Sequence, residues 1–198
     1  MIPVRRRPEP ASFDAMVRQP GSAWLRSVGI SPTDWKPGSR IWRKCLDDLH
    51  REYAGVCAYL CIFIEPVTGA KSVDHFVPKS IDPNLAFEWS NYRLACMTMN
   101  GRKSKRSVPL DPFRLRRETF HLELVTGRIY PNPDRSMILR RKAQAMIDLL
   151  GLDDGECRAI RAAWWNRYIL CFSCPSGSTY LRDSAPFVYS EAKRQGML

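Results

Sequence analysis

Apolar positions recur along this chain in two rhythms, and each predicts a different element. Across residues 41–53, Ile41, Trp42, Cys45, Leu46, Leu49 and Tyr53 fall close to i, i+3, i+4 spacing. That rhythm predicts an amphipathic helix. Upstream, Trp24, Leu25 and Val28 form the apolar side of shorter helical pieces, with breaks expected at Pro20-Gly21, Pro32 and Pro37. Residues 56–64 are instead rich in β-branched and aromatic side chains. With a turn at Pro66-Val67-Thr68-Gly69 and a return over 70–73, they predict a β-hairpin. Pro78 and Pro83 forbid regular structure in the next stretch, which is read as a loop. A bridge over 89–95 and a short helix over 96–105, weakened by Gly101, complete an order of hairpin, loop and helix.

The hairpin signature returns over 120–130, around Thr126-Gly127. Two helices follow, one over 136–150 stopped by Gly151 and one over 153–169 with Asp153 available as its cap. The tail from 176 reads as short helices and loops. No repeat and no low-complexity tract interrupts the chain. The expected class is α+β: a central ββα unit at about 54–106, a helical N-terminal segment at 10–53, and a hairpin with helices at 107–198, all in one domain.

Charge changes this picture. The 198 residues carry 31 Lys+Arg against 20 Asp+Glu, a formal net charge of +11. A surplus of that size favours an anionic partner, of which nucleic acid is the commonest. No window reaches the roughly 18 consecutive apolar residues needed to span a bilayer. The basic, proline-rich start is followed by no apolar h-region, so a cytoplasmic protein without membrane association is expected. Seven cysteines at scattered positions do not form a secreted disulfide framework.

The candidate chemistry lies in 73–105, which holds Asp74-His75, Asn91, Asn100 and a basic run. Phosphodiester hydrolysis must overcome the phosphate's negative charge and a poor leaving oxygen, and a hard divalent cation does both. Such a cation prefers oxygen ligands with water completing its shell. Asp74 offers a charged oxygen and Asn100 a neutral amide oxygen. His75, with an unperturbed pKa of about 6.5, can accept a proton from water near neutral pH. Asn91 is placed to brace the loop carrying His75. Lys103 stands three residues past Asn100, on the same face of a helix. Lys79, Arg93, Arg102, Lys105 and Arg106 crowd the same stretch and are expected to track phosphates.

In these residues the chain resembles the HNH endonucleases, the ββα-metal or His-Me finger nucleases. The resemblance runs from about Cys57 to Arg106 and rests on Asp-His followed by Pro, Trp-Ser-Asn, and Asn-x-x-Lys in that order. It implies a central ββα-metal unit wrapped by N- and C-terminal helices, with a second short hairpin. Asp74 and Asn100 would hold Mg²⁺ or Mn²⁺, His75 would be the general base, and Asn91 would brace it. DNA is the implied substrate, and small members of the family act in phage defence. Two rivals stand beside this reading. One is a non-catalytic nucleic-acid-binding protein that keeps the ββα shape; the other is a nuclease subunit active only with a partner such as a defence-system ATPase.

The chain departs from the family in its cysteines. Many relatives hold a structural zinc on two Cys-x-x-Cys pairs, but here the corresponding positions read Cys57 and Leu60, then Cys96 and Met99. Leucine and a thioether do not replace thiolates for Zn²⁺. A structural zinc is therefore not expected, and these four residues are read as an apolar plug. The Cys171-x-x-Cys174 pair is the remaining thiolate source in the sequence.

Overall fold

The computed structural model describes residues 1–29, 32–170 and 176–198. These sort into two compact units, one built from 6–55 and 64–107 and the other from 1–5, 56–63 and 108–198.

In the first unit a π-helical turn, Asp14–Arg18, runs directly into α1, Gln19–Val28. Pro20-Gly21 therefore does not break the helix, contrary to the sequence expectation. Pro20 falls in the first turn of α1, at the junction with the π-helical turn. Gly21 is kept small by the Phe87 ring, which a Cβ at this position would overlap. Gly21→Ala should accordingly destabilise the fold by about 1–3 kcal/mol, the usual cost of overpacking, read as a lowered urea midpoint. An unchanged midpoint would mean that Phe87 yields freely.

The amphipathic helix expected over 41–53 is helical from 41 to 52 but not continuous. It divides into α2, Lys36–Trp42, a 3₁₀ turn, Arg43–Cys45, and α3, Leu46–Glu52. The tighter turn still buries Trp42, Cys45 and Leu49.

Two strands follow, β1, Lys71–His75, and β2, Tyr92–Cys96, and helix α4, Met97–Lys103, leaves β2 directly. The strands are antiparallel, with Val73 opposite Leu94, Asp74 opposite Arg93 and His75 opposite Tyr92. This corrects the expected pairing. The partner of the 71–75 strand is the stretch read as a bridge, not residues 56–64. Residues 56–63 belong to the other unit and form a tight loop, in which Cys57 N–H donates to Ile62 O, Cys61 N–H donates to Cys57 O, and an isolated bridge joins Val56 to Phe63. Burial explains the misreading. Cys57, Ala58, Tyr59, Cys61 and Ile62 are all buried, so the apolar run carries no alternation to separate strand from loop.

The second unit contains the expected hairpin, β3, Phe120–Leu122, against β4, Ile129–Pro131. Among the described residues the helices α5, Met137–Leu150, α6, Gly155–Leu170, α7, Gly177–Ser184, and α8, Pro186–Arg194, follow. Ser136 caps α5 and Gly151 ends it in the left-handed region. The cap of α6 is Asp154, whose carboxylate accepts from Cys157 N–H. Asp153, the expected cap, instead accepts from Ile129 N–H and pairs with Arg158. Glu191 of α8 and Gln195 just past its end reach the hairpin: Leu122 N–H donates to Glu191 Oε2 and Gln195 Nε2 donates to Leu122 O. Trp164 and Trp165 are buried here, as Phe87 and Trp89 are in the first unit. All four are packing residues.

Candidate active site

The site grows out of the short antiparallel pair. At the end of β1 the chain enters the proline-containing loop, and Asn91 fixes where that loop begins. Its Oδ1 accepts from Val77 N–H at 2.8 Å, and its Nδ2 donates to Val77 O and Leu85 O at 3.0 Å each. Asn91 is buried, so these bonds are made where water does not compete. The loop is thus tied at both ends to the start of β2.

His75 lies inside this frame and is only 6% exposed. Its ring meets Trp42 edge-to-face at 4.8 Å and Tyr92 at 5.2 Å. Its Nε2 lies 2.9 Å from Ala86 O, which also accepts from Tyr92 OH at 2.8 Å. A carbonyl only accepts, so Nε2 carries the proton and Nδ1 holds the lone pair. Burial pushes the imidazole pKa down to about 3, and the nearby Lys79 ammonium acts in the same direction. His75 is therefore neutral across the physiological range, in the form that a base requires.

The same depression makes a pH prediction. The unfolded chain takes up a proton near the ordinary histidine value of about 6.5, while folded His75 does not until about pH 3. Between these values the unfolded state binds more protons, so stability falls as pH falls through the window. Burial lowers the pKa of His121 as well, adding in the same direction. Urea midpoints measured in EDTA should drop from about pH 7 to about pH 4.5, and His75→Gln should flatten the slope. A slope unchanged in that variant would remove His75 as its source.

Asp74 and Lys103 form a buried ion pair, with Nζ 2.9 Å from Oδ1 and both side chains at most 2% exposed. The same ammonium donates to His75 O at 2.6 Å. Lys103 thus holds the His75 carbonyl and one Asp74 carboxylate oxygen, rather than lining the open cleft. Asn100, one turn earlier on α4, points its amide nitrogen at β1, donating to Ser72 Oγ at 3.0 Å and to Val73 O at 3.2 Å. That commits Nδ2 and leaves the amide oxygen as the atom with which Asn100 would meet a cation.

Asp74, His75, Asn100, Lys79 and Lys105 line one cleft of about 900 Å³. The other expected residues do not line it. Arg93 is buried, donates to Ser90 O and Tyr92 O, and stacks its guanidinium 4.8 Å from the Phe76 ring. Arg102 lies in the last turn of α4 and Arg106 beyond its end, joined by a hydrogen bond from Arg106 Nη2 to Arg102 O.

Ser72, Trp35, Trp42 and Arg43, which are not among the residues expected from the sequence, also line the cleft. Ser72 was accessible in principle, because strand alternation puts it on the face of Asp74. The tryptophans and Arg43 come from the N-terminal helices, and nothing in their local sequence marks them as cleft residues.

The donor set fits a hard divalent cation. It offers carboxylate and amide oxygens on facing elements, with room for water ligands. Among the described residues, no three His, Cys, Asp or Glu side chains cluster as a metal cage. Cys57 and Leu60 fall in one unit and Cys96 and Met99 in the other. Cys171 and Cys174 lie outside the described residues.

No protein-family profile matches the chain. Over 169 residues it is 28% identical to a protein of Vibrio cholerae serotype O1 biovar El Tor named "Retron Vc95 putative HNH endonuclease", with 77% of each chain covered. That likeness supports a relationship to the HNH nucleases, and the mixed α and β architecture with two small antiparallel sheets is compatible with it. Among the described residues no helix is long and apolar enough to cross a membrane.

Proposed function

We propose that the protein is an HNH-type endonuclease that hydrolyses phosphodiester bonds in DNA with the help of a divalent metal. One observation carries the reading: a neutral imidazole, anchored through Nε2 to Ala86 O, shares a cationic cleft with two oxygen donors. Asp74 and Asn100 would hold Mg²⁺ or Mn²⁺, which when bound supplies positive charge to the scissile phosphate and the departing 3′-oxygen. His75 Nδ1 takes a proton from the attacking water as the water oxygen bonds to phosphorus and the bond from phosphorus to the 3′-oxygen breaks; solvent protonates that oxygen, giving a 5′-phosphate and a 3′-hydroxyl. Asn91 keeps the imidazole in place, and Lys103 fixes the Asp74 carboxylate and the His75 backbone. Lys79 and Lys105 meet the phosphates, with Arg102 and Arg106 extending the basic surface beyond the cleft.

The test is cleavage of supercoiled plasmid by the purified protein in Mg²⁺ or Mn²⁺. Nicked or linear product should appear, vanish in EDTA and return with added metal. Cleavage that persists in EDTA would refute the metal requirement. A second reading, a nuclease active only beside a partner such as a defence-system ATPase, draws on the retron named in the relative. Cleavage absent from the isolated chain but present on co-purification with such a partner would select it.

A further inference from the structure

The cleft holds more than the candidate catalytic residues. Trp35 and Trp42 line it as well, with Pro32, Arg43 and Lys79. At about 900 Å³ it is in the upper range of sites that enclose whole small molecules, roughly 300–1,000 Å³. A phosphate and one hydrated cation would fill only part of it. A matched duplex keeps its bases stacked inward and can offer such a concavity little but backbone. A base reaches the wall only when it is unpaired or turned out of the stack.

The wall suits that guest. Trp35 is half-buried and lines the cleft, supported by Trp24 at 5.5 Å. The Lys79 ammonium sits 5.6 Å from the Trp35 ring and 5.3 Å from the Trp42 ring. A cation over an indole is held only weakly, whereas a charge-assisted hydrogen bond to phosphate is the stronger partner. An arriving phosphate therefore draws Lys79 off the rings and leaves an indole face open to stacking. Burial already holds the Lys79 pKa below the usual lysine range, with the Asp74 charge opposing that shift. Its ammonium is thus short of solvation and gains from an anion.

We propose that Lys79 and Trp35 form a subsite for an unpaired DNA nucleotide beside the scissile bond, its phosphate on the Lys79 ammonium and its base on the Trp35 indole. This rests on the nuclease reading and adds a preference for unpaired over matched DNA.

The experiment compares fluorescence-anisotropy binding of a single-stranded oligonucleotide and the same sequence as a blunt duplex, in a His75→Ala background that prevents cutting. Trp35→Leu keeps apolar bulk against Trp24 and Trp42 but removes the π-face, while Trp35→Phe keeps both. Trp35→Leu should weaken single-strand binding roughly 5- to 150-fold, the equivalent of about 1–3 kcal/mol per stacked base. Trp35→Phe should retain most of the affinity, and duplex binding should change less. Lys79→Gln should reduce the single-strand salt slope by about 0.7. An unaltered Leu variant, equal losses on both substrates, or a Phe variant as weak as the Leu variant would each overturn the subsite. If the unsubstituted protein cuts plasmid while the subsite fails these tests, the nuclease reading survives alone. If the protein neither binds nor cuts any nucleic acid, both fall.

Discussion

His75→Ala will cut plasmid DNA about 10²- to 10⁴-fold more slowly than the parent, the usual contribution of a positioned general base. The expectation is specific to the geometry of this ring. Nε2 is committed to Ala86 O and the ring is held by Trp42 and Tyr92, so only Nδ1 is left to receive a proton. Truncation also removes a buried side chain, and some loss of stability is expected with the loss of rate. Tyr92 OH still donates to Ala86 O in the variant, so that carbonyl keeps a partner. Two readouts separate the effects: initial nicking rates in Mg²⁺ and the urea midpoint of the same preparation. A variant that nicks as fast as the parent would exclude His75 as the base.

A second large effect is expected at Lys103. Removing one member of a buried ion pair typically costs about 3–5 kcal/mol, because the other charge loses its compensation in a medium that solvates it poorly. Lys103→Met should therefore unfold at a much lower urea concentration than the parent. It withdraws an ammonium from Asp74 Oδ1 and a donor from His75 O in one step. The decisive comparison is the double variant Asp74→Asn/Lys103→Met. Neutralising both partners should restore part of the lost stability, so the two single changes will not add. Additive losses would show that the pair contributes little and that Lys103 matters through packing. Such stability gives the lysine a role that a surface phosphate-binding cation would not have.

How much of this was legible beforehand differs between fold and site. The α5 boundaries could be read because Ser136 and Gly151 mark them with local chemistry, a side-chain cap and a left-handed stop. The β3–β4 hairpin was legible from its strand signature around Thr126-Gly127. The first strand pair was not, because β2 lies across a loop of sixteen residues (76–91) from β1, and no local rule chooses among distant partners. Residues 56–64 offered a nearer strand-like run whose burial on all sides concealed a loop. In the site, the cluster of Asp74, His75 and Asn100 was foreseeable because residue type and spacing together restrict the chemistry. The burial of Arg93 and Lys103 was not. A basic residue in a basic run looks solvated until its carbonyl or carboxylate partner is known, and those partners, Ser90 O and Asp74 for example, are set by the strand register and by α4.

The side-chain clasp that Glu191 and Gln195 place on Leu122 bears on how the chain matures during synthesis. A ribosome delivers residues in order, so the short β1–β2 pair and α4 emerge together and can close early. Leu122 must wait for more than sixty further residues, from 123 to beyond 190, before its N–H and C=O meet these partners. Until then one rung of the second sheet stays open to pairing with another nascent chain. Ribosomes crowded on one message would hold many such open rungs close together. Slow elongation through the last helices should thus promote co-translational aggregation, while leaving the unit that carries His75 largely indifferent to translation speed.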